Sequence, residues 1–448
     1  IITDTFKIEP VFAGIEFPKV SNTKSYVHYE PYNDRLEAKI LSSPFSLYDN
    51  MISLSGTILV QPSGLTGSGI AKLDQAQLNS NSFNFNAKWF GSDTTNLEVL
   101  SNGESIGLRA NNLRSHIDLD QKSGVFYSNG EDSFVDFPEN KYRCYINTLS
   151  WDMISQKLNF GDSTYTKFEF VSTHPDQDSL SFFANYADYN FQDYLIKAKG
   201  VDSFYVADAT IYPDSGLLTI DKDAYLPPLN HAKISINSIS DKHIFTNSTI
   251  AIQGSDSYTA SGIYMFVNGN KDNQEIMFNE IQVNKDAITI AKASIDTSIV
   301  FKLSNEYVFK GDVNLIGNQN SLIFDGYFNV NHKCLFDKEW VKFKSSINSR
   351  DIVFELDSVI YNDKKELLSS GFFFDSDSLE IYSTFFSKRR GRKDHSLLVA
   401  STRLSYNIDK NKYLVGQESS TDNYFLLDNT SCSTLGSGRI ELGLNLGR

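Results

Sequence analysis

A chain of 448 residues with 33 Phe and 23 Tyr against 4 Met and 10 Pro has the side chains of pleated, half-buried surfaces, and the length for two or three domains or one elongated array. Its formal charge of -14 repels phosphate backbones and anionic bilayers, which argues against generic nucleic-acid binding. No stretch approaches a run of apolar residues long enough to span a bilayer, so no transmembrane helix is expected.

The chain opens "IITDTFKIEP", with neither Met nor a signal-peptide pattern, and closes on the apolar, glycine-punctuated "GSGRIELGLNLGR". Both ends are expected to belong to a longer, processed polypeptide. Further in, "PSGLTGSGIAK" (62–72) places three glycines ahead of a lysine, as a phosphate cradle would. Such a cradle needs a helix directly after it, and a GK[ST] dipeptide is absent. The downstream residues alternate instead: "SFNFNAKWF" sets Phe83, Phe85, Ala87 and Trp89 on one face and Asn84, Asn86 and Lys88 on the other. The glycines are therefore expected in a bend between paired strands, with Gly56 and Gly69 at strand starts.

Period-two alternation recurs in "DAITIAKASI" and "DIVFELDSVIY", with turn residues every ten or so positions, the spacing of an all-β protein. Only 147–158 ("NTLSWDMISQKL") and part of 182–200 invite short helices. A Pro-Asp-Ser-Gly turn at 213–216 and the pair Pro227, Pro228 punctuate the middle of the chain, the prolines marking a candidate boundary. "VSTHPDQDS" (171–179) is a second possible break.

Internal repetition is the most informative feature. "FSLYDNMISLSGTILVQPSGLTGSGIAKL" (45–73) and "FKLSNEYVFKGDVNLIGNQNSLIFDGYFNV" (301–330) share Phe-x-Leu, an Asn-bearing turn, a strand reaching x-Gly, and a second glycine further on: Gly56 and Gly69, Gly311 and Gly326. A weaker copy spans 245–267, with Gly262 in the second place. The organisation expected is a first β unit at 1–175, a connecting β segment at 176–230, and a second β unit at 231–448.

The residues able to do chemistry are scattered. Cys144, Cys334 and Cys432 show no metal-ligand spacing and allow at most one disulfide, for which Cys334–Cys432 is the candidate pairing. His332 and Cys334 offer two metal ligands without partners. The acids of "DSDSLE" (Asp375, Asp377, Glu380) and "HPDQDS" (Asp176, Asp178) read as turn solvation, with paired-acid glycoside hydrolysis or calcium binding as the alternatives. No GxSxG elbow and no HExxH motif occur. Trp89, Trp151 and Trp340 are candidates for stacking on sugar or, more plainly, for core packing. One basic run, Lys388, Arg389, Arg390, Arg392 and Lys393, stands out in an acidic chain. It reads as a solvated hairpin tip, or as a contact for a lipid headgroup or an acidic partner.

Five phrases carry a resemblance: "FKIEPVFAGIEFPKV", "GLTGSGIAKLDQAQLNSNSFNF", "VDFPENKYRCYINTLSWD", "VADATIYPDSG" and "YVFKGDVNLIGNQNSLIFDGYFNVNHKC". They resemble the carboxy-terminal part of long all-β proteins of Bacteroidetes-type cell envelopes. At the level of pattern alone, the strand–turn–strand units are also similar to the open β-tacos of lipopolysaccharide-transport and AsmA-type proteins. The resemblance implies a Gram-negative envelope setting, periplasmic or outer-membrane-associated, and a larger parent chain; it specifies no reaction.

The fold expected is all-β, mainly antiparallel, in stacked sandwich or solenoid-like units with little helix. The function expected is non-enzymatic: a structural or binding component that scaffolds an envelope assembly, with neither catalytic residues nor a metal or organic cofactor. Its expected partners are other parts of the parent chain, envelope proteins or lipid, and not nucleic acid. A lipid-transfer bridge, a carbohydrate-binding or carbohydrate-active module and a surface adhesin are the alternatives.

Overall fold

Alternating apolar and polar residues bury one face of a strand, so a chain built from them must pair its strands and stack its sheets. The computed structural model describes residues 1–448 except 9, 10, 13, 102–104, 131, 132, 162–166, 238–241, 419–421 and 442–448, and the side chains of 11 and 12. The protein is all-β, with 60% of residues in strand. Every described ladder is antiparallel, and among the described residues the helical content is three single 3-10 turns, at Pro175–Gln177, Asp214–Gly216 and Lys222–Ala224. Two compact units emerge: Ile1–Ala232 with Ile250–Tyr258, and Lys233–Thr249 with Thr259–Arg448. The interval 176–230 lies within the first unit, and Pro227 and Pro228 fall shortly before the division. The glycine-punctuated ending at 436–448 lies mostly outside the described residues.

In the first unit five long strands, Ile52–Gln61, Gly64–Lys72, Ala76–Phe85, Trp89–Ser101 and Ser105–Asp118, pair in succession. Both outer members fork. Ile52–Gln61 pairs near its start with Phe45–Leu47 and further along with Arg35–Ile40. Ser105–Asp118 pairs through its second half with Ser123–Ser128, and through Arg109 and Ala110 with Val135–Phe137. Two ladders grow from this second fork. One continues through Thr148–Asp152, Lys157–Phe160 and Tyr186–Asn190, the other through Tyr142–Tyr145, Phe168–Ser172 and Ser181–Ala184. Their inner faces meet at Phe137, whose ring lies 5.5 Å from Phe160 and 5.0 Å from Tyr189. All three are fully buried, so the interior is filled with side chains, as in a two-layer sandwich.

A strand that serves two layers has to bend, and glycine permits the bend. Gly56 and Gly69 are direct register partners. A Cβ on Gly56 would lie 1.8 Å from the Ser68 carbonyl oxygen, and one on Gly69 would lie 2.2 Å from that of Ser55. Gly69 also takes φ +118, where side chains are strained, and a β-bulge separates it from Gly67. On the neighbouring strands hydroxyls replace glycine along this crease. Ser80 and Ser92 Oγ are 2.7 Å apart, Ser80 donates to the Thr94 carbonyl, and Thr95 meets Ser115 at 2.9 Å. All four hydroxyl side chains are buried and paired with one another.

The second unit contains the same device. Phe301–Lys302 lies antiparallel on the start of Tyr307–Ile316, as Phe45–Leu47 does on Ile52–Gln61, and Gly311 stands opposite Gly326. A Cβ on Gly326 would lie 2.4 Å from the Lys310 carbonyl oxygen. The third copy diverges: beside Gly262 the Ser248 hydroxyl occupies the space, 2.4 Å from a Cβ position. An aromatic core fills this unit, with Phe328 stacked on Phe354 at 4.1 Å and Tyr307 edge-on to Phe354 at 4.8 Å.

Three expectations need correcting. The glycines of 62–72 lie in the strand Gly64–Lys72, not in the turn, and Gly56 and Gly69 sit mid-strand rather than at strand starts. The helix expected at 147–158 is a hairpin of Thr148–Asp152 and Lys157–Phe160, because Leu149, Trp151, Leu158 and Phe160 all face inward at period two across a short turn. The part of 182–200 read as helix-compatible is likewise the strand pair Tyr186–Asn190 and Leu195–Lys199.

Candidate functional site

A hairpin tip at the basic run would require its flanking strands to pair with each other, and they do not. Glu380–Ser387 and His395–Ala400 lie on opposite edges of Leu367–Asp375. Residues 388–394 therefore cross that central strand, and the crossing gives three of the five basic side chains local partners. Lys388 bonds Glu366 at 2.9 Å and approaches Glu339, and its ammonium holds the Glu366 carboxyl below the usual carboxylate range. Arg389 lies 4.6 Å over the Phe373 ring, and Arg390 lies 4.6 Å over Tyr382 with Glu380 nearby. Beneath the crossing, Asp394 accepts from the Tyr382 hydroxyl and from the Gly391 amide. Arg392 and Lys393 are the exposed remainder.

Cys334 and Cys432 form a disulfide with Cα atoms 5.4 Å apart, closing 98 residues of the second unit. Cys334 is thereby taken from any pairing with His332, which is buried, its pKa lowered by desolvation. Cys144 is a buried free thiol whose pKa burial pushes well up. The acidic clusters serve their own turns. Asp375 accepts from the Asp377 amide and the Ser378 hydroxyl, which lower its pKa. Asp176 and Asp178 belong to the 3-10 turn Pro175–Gln177 and its C-cap. Among the described residues no group of three or more His, Cys, Asp or Glu is placed to hold a metal ion.

The three tryptophans differ. Trp151 is 3% exposed and belongs to the core. Trp340 carries the Lys310 ammonium 4.4 Å from its ring, and Lys310 also bonds Asp363 at 2.6 Å. Alternation places Trp89 on the inward face with Phe83 and Phe85. Instead the turn at 86–88 shifts the phase, so Phe90 is buried and Trp89 is left half-buried on the outer face.

Around Trp89 the outer face forms a cleft of 330 Å³. Four adjacent strands build it. Asn84 is opposite Gly91, Gly91 is opposite His116, and Arg114 is opposite Tyr127. The Trp89 and His116 rings lie 4.8 Å apart, and the Arg114 guanidinium sits 4.9 Å over Tyr127. Gly91 carries no side chain because a Cβ there would lie 2.3 Å from the Ser115 carbonyl oxygen, so bare backbone occupies the middle of the row. A second cleft of 360 Å³, lined by Asn79, Ser80, Asn81, Ser82, Thr94 and Asn96, shares Ser92 and Asp93 with the first. The two form one trough of aromatic, amide, hydroxyl and charged groups. Asn84, Arg114, His116 and Tyr127 carry no sequence signal, since strand pairing alone brings them together.

No family model, curated protein or solved structure matches this chain.

Proposed function

We propose that the protein is a non-enzymatic structural and binding component of a Gram-negative cell envelope, a β module of a larger assembly at the outer membrane. The observation that carries this reading is where the groups capable of recognition lie. The interiors are filled by Phe137, Phe160 and Tyr189 in one unit and by Phe309, Phe324, Phe328 and Phe354 in the other. The aromatic and polar groups of the Trp89 trough sit outside, on paired strands held by a buried crease. Rigid strands position a binding surface better than loops do. Filled interiors favour this reading over a lipid-transfer groove. The Cys334–Cys432 disulfide supports an oxidising compartment such as the periplasm or cell surface.

The experiment is affinity purification of the tagged parent protein from fractionated cells, with partners and lipids identified by mass spectrometry. Envelope proteins should co-purify from the outer-membrane fraction, without stoichiometric lipid. Recovery from the cytosol with no envelope partner would overturn the reading, and stoichiometric lipid would turn it toward transfer.

A further inference from the structure

The outer face of the first unit presents chemistry that its own fold leaves unused. Among the described residues, the Asn84 amide, the Asp93 carboxylate and the Arg114 guanidinium make no side-chain hydrogen bond or ion pair, although all three face the Trp89 cleft. They supply an amide that both donates and accepts, an acceptor-only carboxylate, and a planar fork of donors. Beside them lie the Trp89 and His116 rings, 4.8 Å apart, and Tyr127 beneath Arg114.

We propose, resting on the binding role of this face, that the cleft takes a pyranose ring of a polysaccharide chain. A pyranose has a flat C–H face that packs on an indole, and a rim of hydroxyls that each donate and accept. Trp89 matches the first, and Asn84, Asp93 and Arg114 match the second. The neighbouring asparagine and serine cleft, continuous through Ser92 and Asp93, gives adjacent sugars of the chain a hydroxyl-compatible path.

Other ligand classes fit worse. A peptide adding a strand needs a free edge, and the strands here are paired on both sides. A phosphate would meet the Asp93 carboxylate in a chain of net charge -14. A lipid tail would find a lining of Asn, Ser, Asp and Arg.

The test is native affinity electrophoresis of the full chain in gels containing laminarin, galactomannan, xylan, polygalacturonate or bacterial O-polysaccharide. At least one polymer should retard the wild type. Trp89→Ala and Arg114→Met should each weaken that retardation about tenfold or more, whereas Trp340→Phe should leave it unchanged. Tryptophan emission should shift on adding the retarding polymer and should no longer shift in Trp89→Ala. Should Trp89→Ala lose its far-ultraviolet dichroism, the exposed pair Arg114→Met and Asp93→Asn decides the matter. Retardation by none of the five polymers, or equal retardation of wild type and all cleft variants, overturns the proposal. Neither result touches the envelope assignment, which stands or falls on fractionation and partners.

Discussion

Two glycine creases do the same work in different company. In the first unit Gly56 and Gly69 open a line that continues through buried hydroxyls, Ser80 with Ser92 and Thr95 with Ser115. In the second unit Gly311 and Gly326 stand opposite each other in a unit whose aromatic core is accompanied by the Cys334–Cys432 disulfide. The comparison teaches that the close approach of the strands depends on a missing Cβ in both units, while buried hydroxyl pairs extend it only on the strands next to Gly69. A hydrophobic side chain could not replace either glycine, because the atoms it would meet are backbone carbonyls of the partner strand.

The largest expected effects break both creases alike. Gly56→Val and Gly326→Val should each cost about 4 kcal/mol or more, the range reserved for overpacked or strained sites. Hydrogen exchange should show lost amide protection concentrated in the unit that carries the substitution. Equal protection in variant and wild type would show that the strands bend elsewhere.

The next effect separates the units. Replacing Cys334 and Cys432 together by Ser should destabilise the second unit by about 3–5 kcal/mol, since the bond closes a long loop. The first unit, whose Cys144 is free and buried, should keep its exchange protection in the same variant and should resist thiol-labelling reagents until unfolded.

A smaller effect belongs to the first unit. Thr95→Val deprives the buried Ser115 hydroxyl of its partner at 2.9 Å and should cost about 1–3 kcal/mol. Adding Ser115→Ala should recover part of that loss in a double-mutant cycle monitored by urea unfolding. Strict additivity would mean that the two hydroxyls do not act as a pair.

The smallest effect is acid lability. In the second unit Asp296, Glu366, Asp375 and Asp428 all have lowered pKa values, through hydroxyl, amide or lysine donors; in the first unit Asp152 is lowered by Ser155 and Ile154. A carboxylate with a depressed folded pKa contributes stability above its unfolded value and loses it as pH falls through the folded value. Below about pH 4 the turns of the second unit should therefore lose amide protection ahead of those of the first. Asp152 and Asp296 are exposed and Glu366, Asp375 and Asp428 half-buried, so salt should weaken the difference.

The sequence made the fold class legible because alternation with period two survives any choice of partner strand. The repeat at 45–73 and 301–330 was legible for a related reason: a cross-strand glycine pair leaves its mark at a fixed spacing in each copy. The role of those glycines was not, since a turn and a crease ask for the same residue and only the register tells them apart. Trp89 was misplaced because a turn at 86–88 resets the alternation by one position. The basic run gave its charge but not its path: nothing local announces that 388–394 crosses a strand instead of closing a hairpin. The trough was hidden for the reason most sites are. Asn84, Asp93, Arg114 and Tyr127 come from four strands and meet only through non-local pairing.

The facing glycines also bear on how the chain finds its register. If Gly64–Lys72 slid by one residue along Ile52–Gln61, Gly56 would face a residue with a side chain, and the crease would have to close over a Cβ. The same holds for Gly311 and Gly326. In strands with one buried face such a slip also turns the apolar set outward, so the glycine pair adds a steric penalty to a register that burial already specifies. Each glycine pair therefore acts as a keyed joint: the strands approach this closely only where glycine meets glycine, and any other alignment sets a Cβ against partner backbone.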